Sequence, residues 1–248
     1  MPAYNSEAFI ANAIDSVIEQ TYNDWEILIV DDCSIDSTVD IVKEYSNKDE
    51  RIKLFEKKEN KGAGFARNWA IKESTGRFLA FLDSDDFWHK DKLRKQLEFI
   101  EMTQAALVYT QYYIYDQQVD KVTHKIESPS KTTYSKMQRN DYIGFLTLLI
   151  DTDKVGKQLM PTIRRRQDWA FKLLMLNKGF DAYGIPEPLA YYRIGNQSLS
   201  SNKFKLIKYN FAIFRNVLGY SIVKSIYKMG VFLSFYFIFK LTSRKKVN

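Results

Sequence analysis

The stretch RFLAFLDSDDFW (residues 77–88) joins five consecutive apolar side chains to three carboxylates within four positions, those of Asp83, Asp85 and Asp86. Carboxylates this close repel one another unless a positive charge lies between them. A divalent cation that also carries a phosphate meets this need, because hard cations take oxygen ligands and often bridge one or two carboxylates to substrate phosphates. The alternative is an exposed turn, in which Asp and Ser are also favoured.

The residues before this stretch alternate between helical and strand-like patterns. Apolar residues recur at helical spacing from Glu7 to Gln20, and they are followed in turn by the buried-strand pattern WEILIVDD, the helix STVDIVKEY, the strand IKLFEK and the helix FARNWAIKES. Such alternation predicts an α/β fold with a Rossmann-like, doubly wound sheet, whose ligands bind beyond the carboxyl ends of the strands. Asp31-Asp32 and the DSDD cluster both end predicted strands, so they are expected to face one crevice. This coincidence favours the metal site over the turn.

The composition predicts a globular domain with anionic partners. Of the 248 residues, 45% are apolar and 27% are charged, which suits a substantial core and excludes a disordered chain. The net charge of +7 comes mainly from the segment IRRRQ and the C-terminal tail, so an anionic surface or ligand is expected. No helix-turn-helix, zinc-finger or RNP-type pattern accompanies this charge, and a nucleic-acid partner is not predicted.

Cysteine and histidine are too few for several kinds of site. Cys33 is the single cysteine of the sequence, which excludes an internal disulfide and a metal site built on thiolates. His89 and His124 are far apart and lack the spacing of zinc ligands. The lone cysteine is compatible with a reducing compartment and therefore with a cytoplasmic location.

The N-terminus lacks a feature that the predicted fold requires. MPAYN directly precedes the first predicted helix, whereas a doubly wound unit normally opens with a strand of about five residues. The first strand is therefore expected to be truncated, and a chain extended upstream by a short apolar segment is expected to melt at a higher temperature. No basic region followed by an apolar one is present, so no signal peptide is expected.

The second half changes character and ends in a basic, aromatic tail. AALVYTQYYIYD and KVTHKI are typical of a strand pair, DYIGFLTLLI could be helix or strand, QDWAFKLLMLNKGF is an amphipathic helix, and DAYGI and PLAYYRI are extended. The pattern becomes helical again from Lys203 onward. We therefore divide the chain into a larger domain at 1–202, with halves at 1–105 and 106–202, and a helical tail at 203–248.

Six ordered motifs resemble the family 2 glycosyltransferases, which are inverting sugar-nucleotide enzymes with the GT-A fold. The motifs are PAYNSEAFIANAIDSVIEQTY, EILIVDDCSIDSTVDIVKEY, ENKGAGFARNWAI, GRFLAFLDSDDFW, RRRQDWAFKLL and EPLAYYRIGNQSLSSNK. The sequence most resembles bacterial transferases that build teichuronic acid, capsule or O-antigen polysaccharides. The resemblance implies a metal-dependent enzyme of the hexosyltransferase type, with a nucleotide-sugar donor, most simply a UDP-sugar, and a cell-envelope saccharide or lipid-linked acceptor.

The resemblance also implies roles for particular residues. Asp85 would ligate Mg or Mn that bridges the nucleotide diphosphate, and Asp83 would contact the ribose or a water on the metal. Asp168 would be the general base that takes the proton from the acceptor hydroxyl. The remaining residues are expected to bind the nucleotide sugar: Pro2 and Tyr4 beside the base, Asp32 on the uracil ring, and Arg67, Asp83 and Ser84 near the phosphates and ribose.

Each of these assignments has a structural alternative. Asp168 begins a predicted helix, where Asp is a favoured N-cap, and Arg67 could simply decorate a helix face. Trp88 and Trp169 could line an acceptor groove or belong to the core. Many relatives place a histidine after the YYRI motif, where this chain has Gly195, Asn196 and Gln197. The alternatives to the whole function are a silent GT-A binding module and a sugar-1-phosphate nucleotidyltransferase, whose glycine-rich N-terminal loop is missing here.

The tail suggests a membrane surface as a partner. Its apolar run from Met229 to Phe239 is 11 residues long and is bounded by Lys228 and Lys240, whereas a spanning helix needs about 20 apolar residues. We therefore expect a helix that lies in the interface of an anionic membrane, at the inner face of the cell membrane. The residues expected among the acyl chains are Val231, Phe232, Phe235 and Phe239. The alternative is a helix packed on the catalytic domain.

Overall fold

The computed structural model describes residues 1–195 and 203–247. The interpretation of Asn196 and Gln197 lies outside the described residues. In the first half, strands and helices alternate as the sequence predicts: β1 (Pro2–Ala3), α1 (Ile10–Ile18), β2 (Ile27–Asp31), α2 (Thr38–Ser46), β3 (Ile52–Glu56), α3 (Ala63–Glu73), β4 (Phe78–Ala80), β5 (Phe87–Trp88) and α4 (Lys92–Thr103). Strands β1, β2 and β3 are parallel neighbours. The α/β fold class is thus confirmed.

The second half builds a mixed sheet. Its elements are β6 (Leu107–Asp116), β7 (Lys121–Ile126), β8 (Lys131–Thr132), α5 (Tyr134–Met137), β9 (Leu149–Asp151), α6 (Thr152–Val155), α7 (Gln167–Asn177), β10 (Ala182–Ile194), α8 (Lys203–Ala212), α9 (Ile222–Thr242) and β11 (Arg244–Lys246). The sheet runs β11-β7-β6-β10-β5, and β9 joins β4 to β6. Only the β6–β10 contact is parallel among the described pairings of this sheet.

The structure differs from the sequence-based expectation in two places: in a segment whose secondary structure the sequence leaves open, and in a pair of extended segments that are predicted separately. DYIGFLTLLI is neither one helix nor one strand, because a 3-10 turn at Phe145–Thr147 precedes β9. The two extended segments DAYGI and PLAYYRI form one strand, β10, whose register with β6 shifts between Ile185 and Pro188. Proline has no N–H to donate to a ladder, which accounts for an irregularity at this point.

A cleft between β2 and β4 separates the two sheets. β1, the strand that pairs with β2, has only two residues. β2 and β4 share no backbone ladder, and they belong to separate sheets. A cavity of about 730 Å³ lies between them and is lined by apolar side chains such as Leu28, Leu79 and Phe81. At one end Glu26 bridges the gap, since its Oε1 accepts hydrogen bonds from the Thr75 amide at 2.6 Å and hydroxyl at 2.7 Å. The effect of an upstream apolar extension on the melting temperature stays a prediction.

The C-terminal helices pack on the preceding part of the chain. Phe232 of α9 lies 4.7 Å from Trp169 between ring centroids, and Phe214 lies 5.5 Å from the same ring. Phe239 packs edge-on against Tyr142 at 4.9 Å. The expectation that Phe232 and Phe239 enter acyl chains is therefore wrong, because these aromatic side chains turn toward the core. The domain division at 202/203 stays a prediction.

Candidate active site

The loop that follows β4 holds its acidic side chains in different surroundings. Asp86 is buried, and its Oδ1 accepts a hydrogen bond from the Arg193 amide of β10 at 2.9 Å. Ser84 is also buried, with its Oγ 2.7 Å from Oγ of Ser6. Asp83 pairs with Arg67, while Asp85 is exposed. The loop is thus fixed by Asp86 and Ser84, and it presents Asp83 and Asp85 to the crevice.

Two of these carboxylates, those of Asp85 and Asp86, lie in surroundings that disfavour their charge. Although the Asp85 side chain is open to solvent on one side, the surrounding protein and then the charge of Asp83 raise the pKa of Asp85. Burial and then the charges of Asp85 and Asp83 raise the pKa of Asp86 well above its usual range. A cation placed at Asp83 and Asp85 would offset this repulsion. The electrostatics of the loop therefore suit a bound positive charge.

Arg67 lies at the centre of the acidic side chains. Its side chain is only 12% exposed and it pairs with Asp83, so the alternative of a solvated residue on a helix face is wrong. Burial alone would lower the pKa of Arg67, but the carboxylates of Asp83, Asp168 and Asp85 together raise it. One buried guanidinium therefore interacts both with Asp168 and with the acidic loop after β4.

Tyr192 of β10 is affected by the same carboxylates. Burial and then the negative charges of Asp86, Asp85, Asp83 and Asp168 raise the pKa of Tyr192 to about 12. Electrostatic effects weaken with distance, so the influence of all four carboxylates on one phenol is consistent with their lying around a common crevice. The acidic loop and Asp168, which are far apart in the sequence, thus act on the same phenol.

The residues expected to bind the nucleotide lie at the ends of β1 and β2. Asp32 is buried, and its two oxygens accept hydrogen bonds from the amides of Lys61 at 2.9 Å and Gly62 at 2.6 Å. Each carboxylate oxygen has a second lone pair, so a nucleobase N–H can share this group. Pro2 pairs with β2, and Tyr4 next to it is 51% exposed. The arrangement leaves Tyr4 free to contact a base at the mouth of the crevice.

Asp168 is the second residue of α7, and it does not cap the helix. The cap position belongs to Arg166, whose backbone is left-handed with φ 64°. The side chain of Asp168 is 34% exposed, so it remains accessible from the crevice. Burial alone would raise the pKa of Asp168, but the charges of Lys172, Arg166 and Arg67 lower it below the usual value. The group is thus an ionised carboxylate that can accept a proton.

Both tryptophans of uncertain role belong to the core. The indole N–H of Trp88 donates to the Leu146 carbonyl at 2.9 Å, and that of Trp169 donates to the Met137 carbonyl at 3.0 Å. Trp88 is 8% exposed and Trp169 is fully buried. Neither side chain is available to line an acceptor groove.

Three residues near the site, Arg193, Asp141 and Lys172, were not predicted from the sequence motifs. Arg193 joins three elements, because its Nε donates to the Asp85 carbonyl at 2.7 Å and its Nη2 donates to Asn12 at 2.6 Å. Asp141 and Lys172 form a buried ion pair beside Asp168. Arg193 could have been suspected from its place in the YYRI motif. The other two could not, since a lysine inside an amphipathic helix and an isolated aspartate carry no local signal.

The carboxylates suit a metal ion whose coordination shell is completed by substrate phosphates. Across residues 1–195 and 203–247, no group of three or more His, Cys, Asp or Glu side chains is placed to hold an ion. Mg²⁺ is commonly bound through one or two carboxylates plus substrate phosphates, which matches the pair Asp83 and Asp85. The donor set is therefore suitable for Mg or Mn in the presence of a diphosphate.

Comparison with known proteins gives concordant matches. Residues 1–157 match the model of glycosyl transferase family 2. The putative teichuronic acid biosynthesis glycosyltransferase TuaG of Bacillus subtilis is 45% identical over 216 residues, which cover 87% of this chain and 86% of the relative. The UDP-Glc:α-D-GlcNAc-diphosphoundecaprenol β-1,3-glucosyltransferase WfgD of Escherichia coli is 37% identical over 208 residues, which cover 84% and 81%.

Solved structures share the same fold at low sequence identity. S. aureus TarS 1-349 in complex with UDP-GlcNAc has a TM-score of 0.67 at 21% identity, and the match covers 94% of this chain and 70% of that one. A mannosyltransferase from Pyrobaculum calidifontis, in complex with GDP-Man and Mn²⁺, has a TM-score of 0.66 at 16% identity and covers 94% and 71%. With the sequence matches and the placement of the acidic loop, these findings show that the chain belongs to glycosyltransferase family 2.

Proposed function

We propose that this protein is a metal-dependent, inverting transferase that moves a sugar from a UDP-sugar to a lipid-linked or growing saccharide of the cell envelope. The observation that carries the proposal is the buried ion pair of Arg67 with Asp83 of the acidic loop, together with the electrostatic effect of Asp168 and Asp85 on the same guanidinium. The relatives that act in teichuronic acid synthesis and on a diphosphoundecaprenol acceptor support the class of acceptor.

The donor would occupy the crevice from the nucleotide side. Asp32, Tyr4 and Pro2 would hold the base, and Ser84 and Asp83 would face the ribose and the diphosphate. Asp83 and Asp85 would hold Mg or Mn, which neutralises negative charge on the leaving diphosphate when bound. Arg67 would keep Asp83 in place through their ion pair.

Asp168 would carry out the proton transfer. Its ionised carboxylate takes the proton from the acceptor hydroxyl while that oxygen forms a bond to the anomeric carbon. The bond from the anomeric carbon to the diphosphate oxygen breaks at the same time, and its electron pair leaves with the nucleoside diphosphate. Attack opposite the leaving group inverts the anomeric centre.

A panel of nucleotide sugars tests this proposal. We expect a UDP-sugar at about 100 times its Kd to stabilise the folded protein by about 2.7 kcal/mol. For a chain of this size that is a rise in Tm of roughly 5–10 °C. The rise should require Mg or Mn and should disappear with a chelator, and release of UDP should show turnover. Binding without hydrolysis or transfer would indicate a silent binding module, and no metal-dependent shift with any donor would contradict the proposal.

The surface of α9 supports a location at the inner face of the cell membrane. Among the described residues, α9 is the one helix long and apolar enough to cross a membrane by length and composition. Its outward face carries a strip of exposed apolar side chains: Val223, Ile226, Tyr227, Phe237, Ile238 and Leu241. Lys224 and Lys240 flank this strip. An apolar face bordered by lysines matches a helix that lies in the interface of an anionic bilayer.

Both ends of α9 are fastened to the same domain. Before the helix, the Tyr220 hydroxyl lies 3.0 Å from that of Tyr134. After the helix, β11 pairs with β7, with Arg244 opposite Ile126. A helix held at both ends against one face of a domain cannot cross a bilayer, so we propose that α9 lies parallel to the membrane surface.

Co-sedimentation with anionic vesicles tests the membrane proposal. Removal of residues 217–248 would expose Phe214 and Trp169, so point substitutions are preferable. We expect the double variant Phe237→Ser/Leu241→Ser to bind phosphatidylglycerol vesicles at least about tenfold more weakly, since full burial of one such side chain contributes roughly 1.5–3 kcal/mol. High salt should weaken binding by the unaltered chain.

The matched control for this experiment is Met102→Ser. Met102 is 76% exposed on α4, away from α9, and its removal should leave vesicle binding unchanged. If the unaltered protein stays in the supernatant at low salt, α9 is not a membrane anchor.

A further inference from the structure

Lys172 is a buried cation on the same helix face as Asp168. Its side chain is 1% exposed, and its Nζ lies 2.7 Å from Oδ1 of Asp141 and 3.6 Å from Oδ2 of Asp168. The same ammonium donates to the Ile143 carbonyl at 2.6 Å. The ammonium thus has three oxygen neighbours, and one of them is the proposed catalytic base.

The surroundings of Lys172 would otherwise suit an apolar residue. Phe171, Leu173 and Met175 beside it are all buried, and the ring of Phe145 lies 5.8 Å from the ammonium. Replacing a buried ion pair with apolar side chains of similar volume is often neutral or stabilising. Fold stability alone therefore does not require a charge at this position, and a role at the neighbouring site offers a reason for it.

We propose that Lys172 is a positioning residue that holds the Asp168 carboxylate ionised and oriented toward the acceptor, with Asp141 as its permanent counter-ion. The proposal rests on the proposed role of Asp168 as the base. Before the proton transfer, the single positive charge of Lys172 lies beside two negative charges, those of Asp141 and Asp168. After Asp168 has taken the proton, Asp141 still compensates the buried ammonium, so neither state leaves Lys172 unpaired.

The other charges that face Asp168 are already engaged elsewhere. Arg67 on α3 pairs with Asp83, and Arg166 on α7 donates to Asn210 at 2.9 Å and lies 3.7 Å from Asp141.

Asp141 and Tyr192 on β10 also face this carboxylate. In the described part of the chain, the ion pair of Asp168 within 4 Å is the one with Lys172. Lys172 is therefore the cation best placed to set the protonation of the base.

The test is the pH dependence of kcat in Lys172→Met and Lys172→Gln. An opposite charge at this distance lowers the pKa of an aspartate by about one to three units. We therefore expect the acidic limb of kcat to move to higher pH by about that amount in both variants, with the rate recovering at high pH. Donor affinity, measured by calorimetry with UDP and metal, should stay within about twofold.

The Gln variant retains a donor toward Asp141 and Ile143, so it guards against loss of folding in the Met variant. The matched control is Lys92→Met on α4, a fully buried lysine whose ammonium contacts Gln96 at 2.8 Å. In Lys92→Met, the acidic limb of the pH dependence of kcat should not move.

An unshifted acidic limb in the folded Lys172 variants would overturn the proposal and leave Lys172 a purely structural ion pair. Failure of the proposed function is a separate result, since it would appear as normal transfer by Asp168→Asn.

Discussion

Asp168→Asn should lower kcat for sugar transfer by about 10²- to 10⁴-fold, the usual contribution of a positioned general base. The amide has nearly the same size as the carboxylate but cannot take the proton from the acceptor hydroxyl. Donor binding should be unaffected, because Asp168 lies on α7 and the residues proposed for the nucleotide lie at the ends of β1, β2 and β4. The measurements are single-turnover transfer and the Kd for UDP with metal.

The control for this variant is Asp153→Asn. Asp153 is 70% exposed on α6 and pairs with Arg77, outside the crevice. It should transfer sugar at the normal rate. Normal transfer by Asp168→Asn, with donor bound, would show that another group is the base.

Asp85→Asn should remove the metal-dependent part of donor binding. The predicted rise in Tm with UDP and Mg or Mn, roughly 5–10 °C at about 100 times Kd, should vanish in this variant. An amide oxygen carries no charge to share with a divalent cation and a diphosphate, so the bridge between loop and donor is lost. Differential scanning fluorimetry with and without metal measures the effect.

Without ligand, the same substitution should not lower the melting temperature of the protein. The surrounding protein and the neighbouring Asp83 raise the pKa of Asp85 although its side chain is open to solvent on one side, so its ionisation opposes folding as the pH rises above the pKa of a free aspartate. Replacing it with a neutral amide removes that repulsion. We expect the ligand-free variant to melt no lower than the unaltered protein. A full metal-dependent shift in Asp85→Asn would contradict the assignment of this residue to the cation.

Local patterns were sufficient for most of the elements. The period of the apolar residues predicted α1, α2, α3 and α7, and turn residues after buried strands placed Asp32 and DSDD at carboxyl ends. These features depend on neighbours within a few positions, which is the range that periodicity and turn chemistry report.

The faces of the C-terminal helix could not be assigned in the same way. α9 is apolar on almost every side, so its sequence contains no polar stripe that would distinguish a core face from an outward one. The packing of Phe232 on Trp169 selected the inner face and left Phe237 and Leu241 outside.

The sequence by itself determined the order of strands and helices, the acidic ends of two strands and the family motifs that follow from them. Only the tertiary structure decided that Arg67 pairs with Asp83, that Lys172 lies between Asp141 and Asp168, and that a cleft divides β2 from β4. The reason is physical: these pairings join side chains on different elements, and their distances depend on how helices and sheets pack together, which no local pattern encodes.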